Sequence, residues 1–246
     1  GEPEDRAAAR KLLLRAFGLG HNFFDTADSY GPEVSETLIA EALHPYPKEL
    51  VIGTKGGLVR PSRHRWDKDG RPEHLRRALD GSLKRLRLDR IDLYQFHSPD
   101  PKVPFADSVG TLAELQRAGK IRHLGVSNVT VRQLDEARRI ATIVSVQNEY
   151  NIENRSDDAV LAACTKAGIA FIPWYPLGAG RALRSAKVKR VAARMGATPA
   201  QVAIAWLLAR SPVMLPIPGT STMAHLEENA AAAALRLAPE DLAALG

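Results

Sequence analysis

The feature that most constrains this chain is the alternation of two hydrophobic periods along its length. Short runs rich in β-branched and aromatic residues recur between longer segments whose apolar residues repeat at helical spacing. Seven runs read as strands: HNFFDTA (21–27), LVIGTK (50–55), RIDLYQFH (90–97), IRHLGVSN (121–128), IVSVQNEY (143–150), IAFIPWYPL (169–177) and VMLPIPG (213–219). Between them PEDRAAARKLLLRAFGLG, PEHLRRALDGSLKRLRL, PFADSVGTLAELQRAGK and TVRQLDEARR are amphipathic, and several open on Pro-Glu or Thr and stop at Gly, as helices do. Strands alternating with helices predict βα units and a parallel sheet. No Pro/Ser linker, low-complexity tract or repeat divides residues 1–246, which read as a single domain.

A doubly wound sheet and a parallel barrel both satisfy that pattern. Polar residues at the carboxyl ends of nearly every run favour the barrel: Asp25, Lys55, His97, Ser127 with Asn128, Gln147 with Asn148, and Tyr175. In a barrel those ends converge on one mouth, where active sites are built. Seven strands is one short of eight. The chain opens on a helical segment without a methionine and stops on PEDLAALG, which reads as a helix cut early. The expectation is an α/β fold, a (β/α)8 TIM barrel whose first strand, with some C-terminal residues, is missing from this chain, because an open seven-stranded barrel would leave an unpaired edge.

Composition narrows the function classes. Hydrophobic content of 45% and charge of 25% are those of an ordinary globular domain. A net charge of +6 attracts anionic ligands. The basic residues are scattered, however, and RPSRHRWDKDGR (60–71) is interrupted by acids, so it reads as an exposed loop and no nucleic-acid partner is expected. The longest apolar stretch, VAIAWLLA (202–209), falls well short of the roughly 20 residues a membrane helix needs, so no membrane partner is expected and Trp206 reads as core. The lone Cys164 can form no intramolecular disulfide and reads as core filler or a reactive thiol; with no signal-peptide pattern, the expected location is the cytoplasm. The histidines show no metal-ligating spacing, GVSNV lacks the second glycine of a nucleophile elbow, and GAGRAL lacks the third glycine of a dinucleotide fingerprint.

Four residues form a chemical set: Asp25, Tyr30, Lys55 and His97. A phenol titrates near 10, too high for easy acid–base work at neutral pH. A lysine ammonium beside it favours the phenolate and lowers that value, and a half-buried lysine needs a carboxylate of its own. A strand-end histidine can orient a carbonyl by hydrogen bonding. Together these are the parts of a tyrosine general acid. Taken singly each has a plainer reading: Asp25 as a helix-capping carboxylate, Tyr30 as a packed loop tyrosine, Lys55 as a surface charge, and His97 beside Phe96 as a core histidine.

The ordered series NFFDTADSYG, GTK, LYQFHSPDP, GVSN, VQNEYN, PLGAG and IPGTSTMAHLEEN resembles the aldo-keto reductase superfamily over almost the whole chain. PWYPLGAG, IVSVQNEYN and GTSTMAHLEEN are similar to a bacterial branch that includes pyridoxal reductase. The resemblance implies a metal-free (β/α)8 barrel that reduces an aldehyde or ketone with NADPH. It makes Tyr30 the proton donor, Lys55 and Asp25 the pair that lowers its pKa, and His97 the residue that orients the carbonyl. It assigns Ser127, Asn128 and Gln147 to the nicotinamide carboxamide, Tyr175 to stacking on that ring, and the loop Pro176, Leu177, Gly178 to Gly180 to the pyrophosphate. Gly219, Thr220 and Ser221 take the place of a Lys-Ser grip on the 2'-phosphate, with His225 where many members carry arginine, so NADH use stays open. Glu228 and Asn229 match positions that reach the adenine, while Trp66 and Trp174 are candidates to line the substrate pocket. Two other readings stand beside the small-molecule carbonyl reductase: a cofactor-binding regulatory barrel with little catalysis, and a lyase or aldolase using Lys55 as a Schiff base.

Overall fold

The computed structural model describes residues 2–62 and 64–246. By its internal contacts the chain divides into two compact units, Gly1–Val146 and Gln147–Gly246. In the first, helices and strands run α1 (Arg6–Gly18), β1 (Phe23–Asp25), α2 (Val34–Leu43), β2 (Val51–Gly56), β3 (Leu58–Ser62), β4 (Arg65–Lys68), α3 (Pro72–Leu86), β5 (Ile91–Phe96), α4 (Phe105–Arg117), β6 (Ile121–Ser127) and α5 (Val131–Ile140). Strand β7 (Ile143–Glu149) carries the boundary. The second unit holds α6 (Asp158–Ala167), β8 (Ala170–Trp174), α7 (Arg181–Arg184), α8 (Ala186–Met195), α9 (Pro199–Arg210), α10 (Met223–Ala231) and α11 (Pro239–Leu245).

In the first unit β1, β2, β5 and β6 pair side by side, all parallel, as the strand–helix alternation predicts. Their register matters most for function. Asp25 pairs with Gly53, Lys55 with Gln95, and Gln95 with Gly125. Side chains alternate faces with a period of two, so Asp25, Lys55, Gln95 and Gly125 share one face, while Ile52, Thr54 and Tyr94 point to the other. Two glycines keep the first face open. A Cβ on Gly53 would lie 3.1 Å from the Phe23 ring, and one on Gly125 would lie 2.1 Å from Ser145 Oγ.

The second face is covered by helices whose apolar residues repeat at helical spacing. On α3, Leu75, Leu79 and Leu86 are fully buried, each contributing about 1.5–3 kcal/mol of burial. On α2, Ile39, Ala40 and Leu43 are buried, and Glu36 lies on the same stripe with no exposure at all. Helix α5 starts on the Thr130–Gln133 capping box that its sequence announces.

The second unit is organised on aromatic contacts. Tyr150 stacks on Trp206 with centroids 6.0 Å apart and meets Phe171 edge to face at 5.7 Å. Trp206 and Cys164 are both core residues, as expected. Among the described residues no single helix is long and apolar enough to cross a membrane.

Two expectations are corrected. The run 213–219 forms no strand: Phe171 N–H donates to the Val213 carbonyl and Leu215 N–H to that of Phe171, and pairing stops there. Pro216 and Pro218 lack the N–H groups a ladder requires. Segment 60–71, expected as a loop, is instead largely an antiparallel hairpin of β3 and β4, with Leu58 opposite Lys68, Val59 opposite Asp67, and a register shift before Ser62–Arg65. Pro61 is tolerated because a two-stranded ribbon has edges without partners.

Candidate active site

Strand β1 is short, and its final residue is the carboxylate. Phe24 is buried and Phe23 packs against Gly53, which fixes the direction in which Asp25 emerges. Lys55, two residues beyond Gly53 on the same face, is fully buried, with Nζ donating to Asp25 Oδ2 at 2.6 Å and to the Thr26 carbonyl at 2.7 Å. Tyr30 lies on the loop after β1, and its hydroxyl accepts from the same Nζ at 3.4 Å. Backbone bonds hold that loop: Tyr30 N–H donates to Ala27, and Ser35 N–H to Tyr30.

His97 follows β5 on the face that carries Gln95. Its ring meets that of Tyr30 edge to face at 5.8 Å, and its backbone N–H donates to the Gly56 carbonyl. Asn128, in the left-handed conformation with φ 59°, donates from Nδ2 to the His97 carbonyl at 2.9 Å and to Ser127 Oγ at 3.0 Å. The four residues of the chemical set therefore converge in the first unit.

Electrostatics assign their charge states. Burial alone would pull the Lys55 ammonium down, but Asp25 and then Tyr30 outweigh it and hold its pKa above the ordinary lysine value. His97 moves the other way: burial first, and the charge of Lys55 second, push it well below the usual histidine range. At neutral pH it is an uncharged imidazole. Its Nδ1 is buried and has no partner among the described residues. The site thus presents a cation held against a phenol, with a neutral imidazole alongside.

Gln95 belongs to the site although the sequence reading passed over it. Its Nε2 donates to Asp25 Oδ1 at 3.3 Å, and its Oε1 accepts from Ser145 Oγ at 3.2 Å. A polar residue within the apolar run LYQF was the available signal. A second buried network lies on the helix-facing side. Glu36 accepts from Thr54 Oγ1 at 2.5 Å and from Arg85 Nε at 2.6 Å, while Asp28, two residues before Tyr30, has its carboxyl pushed up to about 7 by burial and then by Glu36, with Arg85 opposing. Glu36 was detectable too, because it precedes Ile39, Ala40 and Leu43 at i, i+3, i+4, i+7 spacing.

Next to Tyr30 a cavity of about 340 Å³ has Val34, Ser35, Leu38, Arg60 and Trp66 among its walls. The Trp66 ring stands edge to face with Tyr30, centroids 6.3 Å apart. Trp66 is therefore brought to the candidate proton donor, as a pocket-lining role requires.

Other predicted positions lie in the second unit. Gln147 and Asn148 are buried, and Asn148 donates to Asp157. Tyr175 is 57% exposed and left-handed, packs on Trp174 with centroids 4.9 Å apart, and accepts from Asn151 through its carbonyl. Beyond it Pro176 and Gly178 are buried, Gly178 N–H donates to Tyr175, and Gly180 N–H to Leu177. Gly219, Ser221 and His225 are exposed around the start of α10, where Thr222 Oγ1 caps the His225 N–H. Thr220 Oγ1 accepts from the Thr222 N–H at 3.1 Å. The Glu228 carboxylate is taken by the Thr198 hydroxyl, and Asn229 is buried.

The model of the Aldo/keto reductase family matches residues 1–246. Pyridoxine 4-dehydrogenase of Escherichia coli is 46% identical over 252 residues, covering 100% of this chain and 88% of that protein. The structure of a thermostable aldo-keto reductase complexed with the inhibitor epalrestat superposes with a TM-score of 0.87 at 35% identity, covering 99% of this chain and 88% of the other. An aldo/keto reductase of Klebsiella pneumoniae, solved with NADP and acetate, gives a TM-score of 0.84 at 25% identity over 98% of this chain and 84% of its own.

Proposed function

Because the chain belongs to the aldo/keto reductase family, we propose that it is an NADPH-dependent oxidoreductase that reduces an aldehyde or ketone to an alcohol, with Tyr30 as general acid. The observation that carries the reading is Lys55 Nζ, fully buried, shared between Asp25 at 2.6 Å and the Tyr30 hydroxyl at 3.4 Å.

The donor chemistry suits the cofactor. In the first unit Ser127 and Asn128 offer a hydroxyl and an amide to a carboxamide. In the second, Gln147 offers an amide with both donor and acceptor, and Tyr175 an exposed ring. Gly219, Thr220, Ser221 and His225 surround a helix N-terminus whose amides favour a phosphate. His225 is a weaker anchor than an arginine, so NADH use is a matter for measurement. When bound, NADPH supplies the hydride.

The protein's own residues handle the proton. Lys55, kept charged by Asp25, favours negative charge on the Tyr30 oxygen and makes the phenol a competent donor near neutral pH. Neutral His97 has an N–H with which to hold a carbonyl oxygen while Tyr30 delivers its proton. Gln95 keeps Asp25 facing Lys55. Tyr30→Phe should reduce carbonyl-dependent NADPH consumption at least a thousandfold while leaving NADPH binding, followed by fluorescence titration, within about threefold. Unchanged turnover on a carbonyl panel that includes pyridoxal would sink the assignment.

A further inference from the structure

The β3–β4 hairpin brings Trp66 to the cavity beside Tyr30, yet a two-stranded ribbon by itself is only marginally stable in water. What holds it is the way its base is fastened. The two ends are tied together where Asp69 N–H donates to the Gly57 carbonyl at 3.0 Å. Both ends also press on Phe96, the fully buried residue before His97. A Cβ on Gly57, which is left-handed at φ 112°, would lie 2.8 Å from the Phe96 ring, and one on Gly70 would lie 3.2 Å from it. Gly70 is itself buried, and both of its backbone polar groups are taken by side chains from the segment that follows β5. Its N–H donates to Asp100 Oδ2 at 3.0 Å, and its carbonyl accepts from Ser108 Oγ, on α4, at 2.7 Å. Asp100 is 7% exposed, and its other oxygen accepts from the Lys102 N–H at 2.9 Å. The proton chemistry of Tyr30, Lys55 and Asp25 calls on neither Asp100 nor Ser108.

We infer that Asp100, together with Ser108, is a positioning residue for the carbonyl substrate: by gripping Gly70 it seats the hairpin so that Trp66 stands as a fixed wall, its ring centre 6.3 Å from that of Tyr30. The inference rests on the reductase reading and adds what fixes the substrate wall. Removing either grip leaves a buried backbone group of Gly70 without its partner, which the hairpin relieves by shifting toward water. His97 is held separately, through its backbone N–H on the Gly56 carbonyl and through its own carbonyl, which accepts from Asn128 Nδ2 at 2.9 Å. Loosening the base therefore moves the wall and leaves the proton donor and its neighbours in place. A substrate long enough to lie against Trp66 loses binding, and a short one does not.

The test compares 4-nitrobenzaldehyde, long enough to lie between Tyr30 and Trp66, with propanal, which is too short, and reads kcat and KM separately from NADPH consumption. Asp100→Ala and Ser108→Ala should each raise KM for 4-nitrobenzaldehyde by about fivefold or more, with kcat for both aldehydes, KM for propanal and the NADPH dissociation constant within about twofold of wild type. Trp66→Ala alone should raise the same KM, and adding Ser108→Ala to it should raise it by less than about twofold more, because the wall is already gone. If Asp100→Ala does not fold, Ser108→Ala decides the matter, since it removes only the donor to the Gly70 carbonyl and keeps the Asp100 bond. An unchanged KM for 4-nitrobenzaldehyde in Ser108→Ala, an equal rise for both aldehydes, or Trp66 and Ser108 effects that simply multiply would overturn the positioning role and leave the reductase reading standing. No turnover of either aldehyde by the wild type would overturn that reading and this inference with it.

Discussion

Asp25→Asn tests whether Lys55 is held as half of a buried ion pair. Asp25 accepts on both oxygens, from Lys55 at 2.6 Å and from Gln95 at 3.3 Å. Asparagine keeps one acceptor for Lys55 and turns an NH2 group toward Gln95. Gln95 can rotate its amide to accept there, because the Ser145 hydroxyl at its other end accepts as readily as it donates. The hydrogen bonds survive and the substitution removes the charge alone.

Breaking a buried pair and leaving one ion behind costs about 3–5 kcal/mol. Lys55 sets a ceiling, since it can shed its proton: from an unfolded pKa near 10.4, deprotonation costs about 4.6 kcal/mol at pH 7 and about 1.2 kcal/mol at pH 9.5. The signs are opposite in the two proteins. In the wild type the folded pKa of Lys55 is raised, so its contribution is complete below the unfolded value and is lost only as pH rises through the folded one. In the variant, burial acts without Asp25 and the folded pKa drops below the unfolded value. The unfolded chain then binds more protons, and stability climbs with pH between the two values. Urea unfolding should find Asp25→Asn less stable than wild type by about 3–4.6 kcal/mol at pH 7 and by about 1.2 kcal/mol at pH 9.5. A deficit under about 1 kcal/mol at pH 7, or the same deficit at both pH values, would refute the buried-pair argument.

Asp28 gives the reverse slope: its folded pKa of about 7 exceeds the unfolded carboxylate value, so wild-type stability should fall as pH rises from about 4 to about 7 and then level off. Asp28→Asn should flatten that slope in urea midpoints taken at pH 5 and 7.5, and a slope equal to wild type would place the titration elsewhere. Glu36→Ala leaves Arg85, whose side chain is 16% exposed, without its buried partner and Thr54 without its acceptor. It should cost about 3–5 kcal/mol by urea unfolding; a loss below about 1 kcal/mol would mean that Glu33, at 3.1 Å from Arg85, suffices as counter-ion.

Much of the site was legible because its residues obey local rules. Asp25, Lys55 and His97 announced themselves as polar ends of apolar runs, and Tyr30 as the phenol closing the loop that follows. Gln95 and Glu36 left only a polar residue in an apolar run and an acid on an apolar stripe as signals, and Asp28 left none, since the significance of all three lies in what faces them from strands and helices far along the chain. The hairpin at 58–68 was hidden by its charges and by Pro61, which mark a loop unless a second strand arrives to pair. Conversely, the run 213–219 has the apolar content of a strand, yet two prolines remove the donors that would have made it one.

The amino-acid sequence by itself determined the alternation of strands and helices, the core stripes, the capping boxes and the order of the chemical groups, because each follows from periodicity and from residues a few positions apart. Only the tertiary structure decided the register that sets Lys55 opposite Gln95 and two residues past the partner of Asp25. That register makes an ion pair of a carboxylate and an ammonium 30 residues apart. Folding likewise sets Arg60 over Trp66 beside Tyr30, since charge and burial depend on neighbours that the tertiary structure alone supplies.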